Sequence, residues 1–325
     1  MNSLHYYRRL LQVFRSYKGK ATVLPYLPVR LWIETTSICN LRCVMCPNKD
    51  LKKEEKGFMD PALFRKIIDE ARGFLFDANL IHRGEGLLHP DFPSLVEYAH
   101  AAGIHTKFHT NATLLNEDLS RRLILSGLDQ ISFSFDGFDK ETYESIRVNA
   151  DFDKTLRNIV RFLEIKRELG SRNPYTVFEI IHFPESAKDA EGRRRKEFLK
   201  NFRGLPLDRL EIKEMHNWAG EIAQAPPRRE YAPCTFLWQA LVIFWDGTVL
   251  PCTQDFHGYY SLGNVRTETL AQIWNNERLV RLREKILRRE IDDLETCSQC
   301  DRLWRGRFLG VPREYLWKFL FRRMP

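Results

Sequence analysis

The chain has 325 residues, 43% hydrophobic and 29% charged, with a formal net charge of +8. That mixture is ordinary for a soluble globular protein, and the length suits one large domain with a smaller one. No apolar run reaches the roughly 18 residues that cross a bilayer, and Met1-Asn2-Ser3-Leu4-His5-Tyr6-Tyr7-Arg8-Arg9 lacks the apolar core of a secretory signal. Seven cysteines with no export signal argue for reduced thiols and metal in the cytoplasm, not for disulfides. The positive charge suits nucleic acid, a membrane surface, an anionic substrate or a bare solvated surface. No element alternates basic and aromatic residues, so no nucleic-acid partner is expected.

Residues 1–28 open with Leu4, Tyr7, Leu10, Leu11, Phe14 and Tyr17 at helical spacing, interleaved with Arg8, Arg9, Arg15 and Lys18. This basic amphipathic helix suits either packing on the domain or lying on a membrane. A strand is predicted over 29–35, and it runs straight into a cysteine loop. Helices follow over 61–71, 94–102, 117–126, 153–169 and 188–202, and strands over 78–82, 104–109, 130–135, 176–182 and 208–213. Asp60 and Pro61 mark one helix start, and Gly103, Gly127 and Gly170 mark helix ends. Six strands alternating with helices predict an α/β fold with a parallel sheet, whose ligands gather at the carboxyl ends of the strands.

The stretch with the most chemistry is Cys39-Asn40-Leu41-Arg42-Cys43-Val44-Met45-Cys46. Three cysteines at offsets of four and three can aim three thiolates at one centre. Thiolates are what iron–sulfur clusters require, and a four-iron cluster held at three corners keeps one iron open. A closed zinc site would need a fourth ligand from elsewhere in the chain.

The CxxxCxxC spacing resembles the signature of the radical S-adenosylmethionine (radical SAM) superfamily. The resemblance implies a partial (β/α)6 TIM-type barrel over 29–218. It further implies a [4Fe–4S] cluster on Cys39, Cys43 and Cys46 whose open iron binds SAM. An electron from a flavodoxin- or ferredoxin-type donor then yields a 5′-deoxyadenosyl radical. Met45 stands where relatives carry an aromatic residue beside the adenine. Arg83-Gly84-Glu85-Gly86 resembles the GGE motif, with Arg83 in place of the first glycine and Glu85 as acceptor for the SAM ammonium. The same likeness makes Gly84, Thr110, Asn111, Ser134, Asp136 and Arg147 candidates for cofactor binding. Strand-end polar residues also serve as caps, and Arg147 equally suits a surface ion pair. The fifth strand reads Phe178-Glu179-Ile180-Ile181, without the glycine-rich motif of some relatives.

Cys234, Cys252, Cys297 and Cys300 remain. Two apolar runs about Asp246-Gly247 predict a β-hairpin that brings Cys234 and Cys252 together. A helix over 269–288 carries the CxxC pair, Cys297 and Cys300, back. Four cysteines satisfy either zinc or a fully ligated cluster. The spacing resembles the shortened SPASM, or twitch, extension of radical SAM enzymes. That likeness implies a hairpin-plus-helix domain over 219–304 with one auxiliary [4Fe–4S] cluster, ahead of a basic aromatic tail over 305–325.

Three cysteines plus four leave none spare of the seven, so no free thiol is available to return a hydrogen, as epimerases of the superfamily do. A closed second cluster suits electron transfer, and so oxidation of an alcohol or similar group, as in twitch-bearing dehydrogenases of the superfamily. For the base, Lys213, Glu214, His216 and Asn217 follow the sixth strand, and His216, near neutral in pKa, is the leading choice. Peptide modification, carbon–carbon or sugar modification, and a zinc-binding scaffold or nucleic-acid protein are the rival readings. The N-terminal helix and the tail Tyr315–Arg323 together suit contact with the anionic inner face of a membrane. The substrate is not legible in the sequence.

Overall fold

The computed structural model describes residues 3–182, 188–214, 217–220, 230–304, 306–308 and 311–312. Helix α1 (Ser3–Lys18) precedes six strands: β1 (Arg30–Ile33), β2 (Asp77–Asn79), β3 (His105–Thr110), β4 (Gln130–Ser134), β5 (Tyr175–His182) and β6 (Arg209–Glu214). All five neighbouring pairs among them are parallel. Helices α2 (Pro61–Ala71), α3 (Phe92–Ala101), α4 (Glu117–Leu125), α5 (Lys140–Ile146), α6 (Phe152–Glu168) and α7 (Lys188–Phe198) fill the connections. This is the partial (β/α)6 barrel, with a C-terminal strand and helix region behind it.

Local chemistry starts these helices, at Asp60 as the sequence predicts. Asp60 accepts from Ala62 N, Asn116 from Leu119 N and Asp151 from Lys154 N, each bond relieving an orphan donor at a helix start. Helix α2 buries Leu63, Phe64, Ile67 and Ile68. Leu31, Ile33, Phe108, Ile131, Phe133 and Phe178 meet the helices from the sheet in one core. The opposite face lines the barrel interior. There Arg30 pairs with Asp77 at 2.6 Å, and buried Lys107 reaches Asp77 at 3.4 Å. Burial pushes the Lys107 ammonium down to about 8. Arg30 and Asp77 are the first residues of β1 and β2, so this buried charge cluster lies toward the amino ends of the strands.

The sheet continues past β1. Strand β7 (Ala240–Ile243) pairs parallel with β1, β8 (Thr248–Leu250) turns back on it about Asp246-Gly247, and β9 (Gly263–Asn264) pairs with β8. Gly247 takes φ +94, which the turn requires and a side chain resists. The cysteine-bearing hairpin is thus an extension of the barrel sheet itself.

Three elements differ from the sequence expectation. The helix over 269–288 is two, α8 (Leu270–Trp274) and α9 (Glu277–Arg288), because Asn276 caps a new start by accepting from Leu279 N. Asn275 meanwhile holds both backbone groups of Leu24. Helix α5, absent from the expectation, is capped by Asp139, which accepts from Thr142 N. The long polar helix over 188–202 tightens into a 3₁₀ turn at Leu199–Phe202.

Helix α1 docks through Tyr17, whose hydroxyl donates to Pro233 O at 2.9 Å, and through Tyr6 against Phe76. Tyr7, Leu11 and Phe14 stay exposed on its other side. No helix among the described residues is long and apolar enough to cross a membrane. In the segment 305–325, Arg307–Phe308 pairs antiparallel with Val311–Pro312. The stretch Tyr315–Arg323 that the sequence offers to a membrane lies outside the described residues.

Candidate functional site: two cysteine centres

The loop carrying Cys39, Cys43 and Cys46 leaves β1 at Glu34 and is held on several sides by backbone and amide groups. Arg42 N donates to Val148 O and Val44 N to Ile146 O, both at 3.0 Å, which ties the loop to the end of α5. Glu85 N donates to Ile38 O at 2.8 Å. The buried Asn48 amide donates to Ser37 O and Arg83 O at 2.7 and 2.6 Å. Asn48 escapes the sequence reading; its signal is an amide two residues after the third cysteine. Burial pushes the Cys39 thiol up to about 12 and Cys46 up to about 11, and each feels the neighbouring thiolates. Three cysteine sulfurs on one largely buried loop are the donor type that iron–sulfur clusters use.

Glu85 sits 2% exposed at the centre of the predicted cofactor residues. Its carboxylate accepts from Thr110 Oγ1 and Asn111 N, both at 2.8 Å, and from Leu87 N at 3.2 Å. Burial outweighs those bonds and lifts its carboxyl to about 7. A buried carboxylate so placed is stabilised by a cation such as an ammonium group. Asn111 also donates to Asn40 Oδ1 at 2.9 Å, inside the cysteine loop. A Cβ on Gly84 would collide with the carbonyl oxygens of Thr36 and Ile38, so glycine lets the two loops close up.

Asp136 and Arg147 act as a pair. Arg147 Nη2 meets Asp136 Oδ2 at 2.6 Å, and Asp136 Oδ1 accepts from Ile181 N at 2.7 Å. Arg147 Nη1 stands 3.9 Å from Cys43 Sγ, while its buried Nε has no partner among the described residues. Met45 is half-buried beside Cys46. Ser134 is half-buried and registers with Glu179 on the inner face.

Glu179 replaces a glycine-rich segment with a charge. Lys213 Nζ pairs with its Oε1 at 2.7 Å and His109 Nδ1 with its Oε2 at 3.1 Å, across β3, β5 and β6. Burial alone would raise the Glu179 carboxyl, but His109 and Lys213 hold it far below the usual range. His109 and Lys213 keep 31% and 38% of their side chains exposed, so the trio faces open space at the carboxyl end of the barrel. Sequence reasoning names Lys213 but not its partners, because Glu179 lies 70 positions from His109 and 34 from Lys213 and meets them only through strand register. Among the other base candidates, His216 and the Glu214 side chain lie outside the described residues. Asn217 is engaged elsewhere: it donates to Gln299 O at 2.7 Å and accepts from Asp301 N at 3.4 Å, bracketing the CxxC loop.

The second centre is a cavity lined by Cys234, Cys252, Cys297 and Cys300, with Gln254 and Arg302 in its wall. Burial and the other thiols push Cys252 and Cys297 well up, and Cys300 up to about 12. No three His, Cys, Asp or Glu side chains among the described residues are placed to hold a single metal ion. Four thiols lining one cavity are the ligand set of a fully ligated four-iron cluster or of a tetrahedral zinc ion. Short α10 (Glu295–Ser298) carries Cys297 into this wall.

Arg83 joins the two centres. Its Nε and Nη2 grip Glu34 at 2.7 and 2.9 Å, its Nη1 donates to Phe256 O at 3.3 Å, and the guanidinium lies 3.5 Å from the Phe244 ring centroid. His82 stands 3.4 Å from Glu34 and 3.1 Å from Thr253 O, next to Cys252. The departure from the first glycine of the motif thus has a packing reason.

Comparison with known proteins agrees with this geometry. The model of the radical SAM superfamily matches residues 33–193, and that of the iron–sulfur cluster-binding SPASM domain matches 234–301. The tungsten-containing aldehyde ferredoxin oxidoreductase cofactor-modifying protein of Pyrococcus furiosus is 29% identical, over 76% of this chain and 81% of its own. Mycofactocin maturase MftC of Mycobacterium tuberculosis is 34% identical over 40% of this chain, which spans about a third of the maturase. The structure of BtrN in complex with AdoMet and 2-DOIA superposes with a TM-score of 0.58 at 18% identity, covering 89% of this chain and 96% of BtrN.

Proposed function

This chain belongs to the radical SAM superfamily and carries a short SPASM domain, and from that premise we propose that it is an oxidoreductase acting on an alcohol or similar group. One observation carries the proposal: all four cysteines outside the SAM-binding loop line a single cavity, and no thiol is left over. A centre with every corner ligated offers substrate no open iron, which leaves electron transfer as its chemistry. When bound, the first cluster with SAM supplies a hydrogen-abstracting 5′-deoxyadenosyl radical, and the second supplies an acceptor for the remaining electron.

The residues of the chain take the other parts. Glu85, with Thr110 and Asn111 behind it, receives the SAM ammonium. Arg147 offers its Nε, which has no partner among the described residues, to the carboxylate and is held in place by Asp136. Ser134 and Met45 border the same space. His109, with Nδ1 fixed by Glu179, presents Nε2 to take the substrate hydroxyl proton, and Lys213 balances the carboxylate. This trio takes the role that the sequence assigns to His216. BtrN was solved with AdoMet and 2-DOIA together, which supports a small-molecule substrate beside SAM. The likeness to a cofactor-modifying protein along most of both chains supports a second reading, in which the substrate is a cofactor of another protein. A flavodoxin- or ferredoxin-type donor supplies electrons from the cytoplasm. The exposed Tyr7, Leu11 and Phe14 face of α1 supports contact with anionic lipid.

The test is anaerobic turnover with SAM, reductant and a panel of cyclitols and sugar alcohols. The expected products are 5′-deoxyadenosine and one carbonyl per turnover, with H109N keeping SAM cleavage but losing the carbonyl. With both clusters intact, an absence of 5′-deoxyadenosine would refute the radical chemistry; 5′-deoxyadenosine with a redox-neutral product would refute the oxidoreductase.

A further inference from the structure

The wall of the second cysteine cavity holds two polar side chains with atoms that nothing among the described residues satisfies. Gln254 is 3% exposed, and neither its Nε2 nor its Oε1 has a hydrogen-bond partner there. Arg302 Nε is buried and likewise without a partner. Buried polar groups are nearly always bonded, and leaving one unmet costs about 1–3 kcal/mol. Two unmet donors around one cavity mark a place where acceptors belong. The four thiols of that cavity define which acceptors: cluster sulfides and cysteine sulfurs.

The surroundings hold the Arg302 side chain in place rather than leaving it loose. Arg302 Nη1 donates to Thr253 Oγ1 at 3.3 Å, and its guanidinium lies 5.9 Å from the Phe236 ring centroid. Thr253 O meets His82 at 3.1 Å, so the same residue that steadies Arg302 is tied to the SAM-side loop. Gln254 follows Cys252 by two residues and Arg302 follows Cys300 by two, so each cysteine-bearing arm carries one donor.

We propose that Arg302 and Gln254 donate N–H groups to the second cluster and raise its reduction potential, making it an acceptor of substrate electrons. The proposal rests on the oxidoreductase reading above. Its physical basis is that reduction adds a negative charge to the cluster. A guanidinium and aligned N–H dipoles favour the more negative state.

The experiment is a redox titration of the anaerobically reconstituted full-length enzyme followed by EPR, with SAM added to mark the signal of the first cluster. R302Q removes the cation, R302K keeps it but loses Nε, and Q254L removes the amide. The expected result for R302Q is an approximately tenfold fall in the equilibrium constant for reducing the second cluster, about 59 mV for one electron. R302K and Q254L shift it less in the same direction, and the first cluster stays put. An unchanged second potential at full iron and sulfide content overturns the proposal, as does an equal shift of both clusters. If R302Q fails to load iron, R302K and Q254L decide: two unshifted potentials overturn it. No substrate enters the measurement, so the outcome is separate from that of the alcohol-oxidation test. Carbonyl formation with unshifted potentials sinks only the tuning, and shifted potentials without carbonyl formation sink only the oxidoreductase.

Discussion

Glu34→Gln is the substitution whose magnitude the structure fixes best. Glu34 is fully buried, takes the Arg83 guanidinium on two bonds at 2.7 and 2.9 Å, and stands 3.4 Å from His82. Burial alone would raise its carboxyl; His82 and Arg83 instead hold it at about 2, below the ordinary 4.5. At 1.36 kcal/mol per pH unit, that drop favours the charged form by about 3 kcal/mol. Breaking a buried pair from one side costs about 3–5 kcal/mol, because the surviving charge is left in a dry site. The two figures agree. For a chain of 325 residues, about 3 kcal/mol lowers the melting temperature by about 4–5 °C. A carboxyl with a lowered folded pKa stabilises above the unfolded value and loses that contribution as pH falls. The gap between wild type and E34Q therefore closes as pH falls from about 4.5 to about 2. The assay is far-UV circular dichroism melting of E34Q, R83M and the double variant. The double variant melts higher than the sum of the single losses predicts, since no buried charge is stranded. Strict additivity, or an E34Q melt within about 1 °C of wild type, refutes the argument.

Two further predictions concern the centres themselves. E85Q weakens SAM binding about 10- to 100-fold in equilibrium dialysis at about pH 8, as loss of a charge-assisted hydrogen bond of about 1.5–3 kcal/mol requires. Because burial lifts the Glu85 carboxyl to about 7, wild-type affinity falls as pH drops below that value; E85Q binding as tightly as wild type under those alkaline conditions would exclude Glu85 as the ammonium acceptor. C297S lowers iron and sulfide by about half while SAM cleavage persists, and loss of all iron would mean that the two centres do not load independently.

Much of this molecule is readable from local pattern. The α/β alternation, the helix cap at Asp60 and the Asp246-Gly247 turn all act within a few residues, so spacing reveals them. The break at Asn275–Asn276 has a local part, the Asn276 cap on Leu279 N, and a part hidden from local pattern, the commitment of Asn275 to Leu24, 251 positions away. The same distance problem hides Asn48 and the His109–Glu179–Lys213 trio. Arg83 reads as a flawed motif until Glu34, Phe244 and Phe256 are placed around it.

By itself, the sequence determined which cysteines are candidate ligands and in which two sets. Three cysteines lie within eight residues, and CxxC spacing needs no tertiary knowledge to bring its two thiols together. Only the tertiary structure decided how the sets relate. Parallel pairing of β7 with β1 sews the second cysteine set onto the barrel sheet, and Arg83 and His82 bridge the remaining gap. Register and burial are properties of the whole sheet, and they alone place Gln254 and Arg302 in the wall of the four-thiol cavity with donors that nothing among the described residues meets.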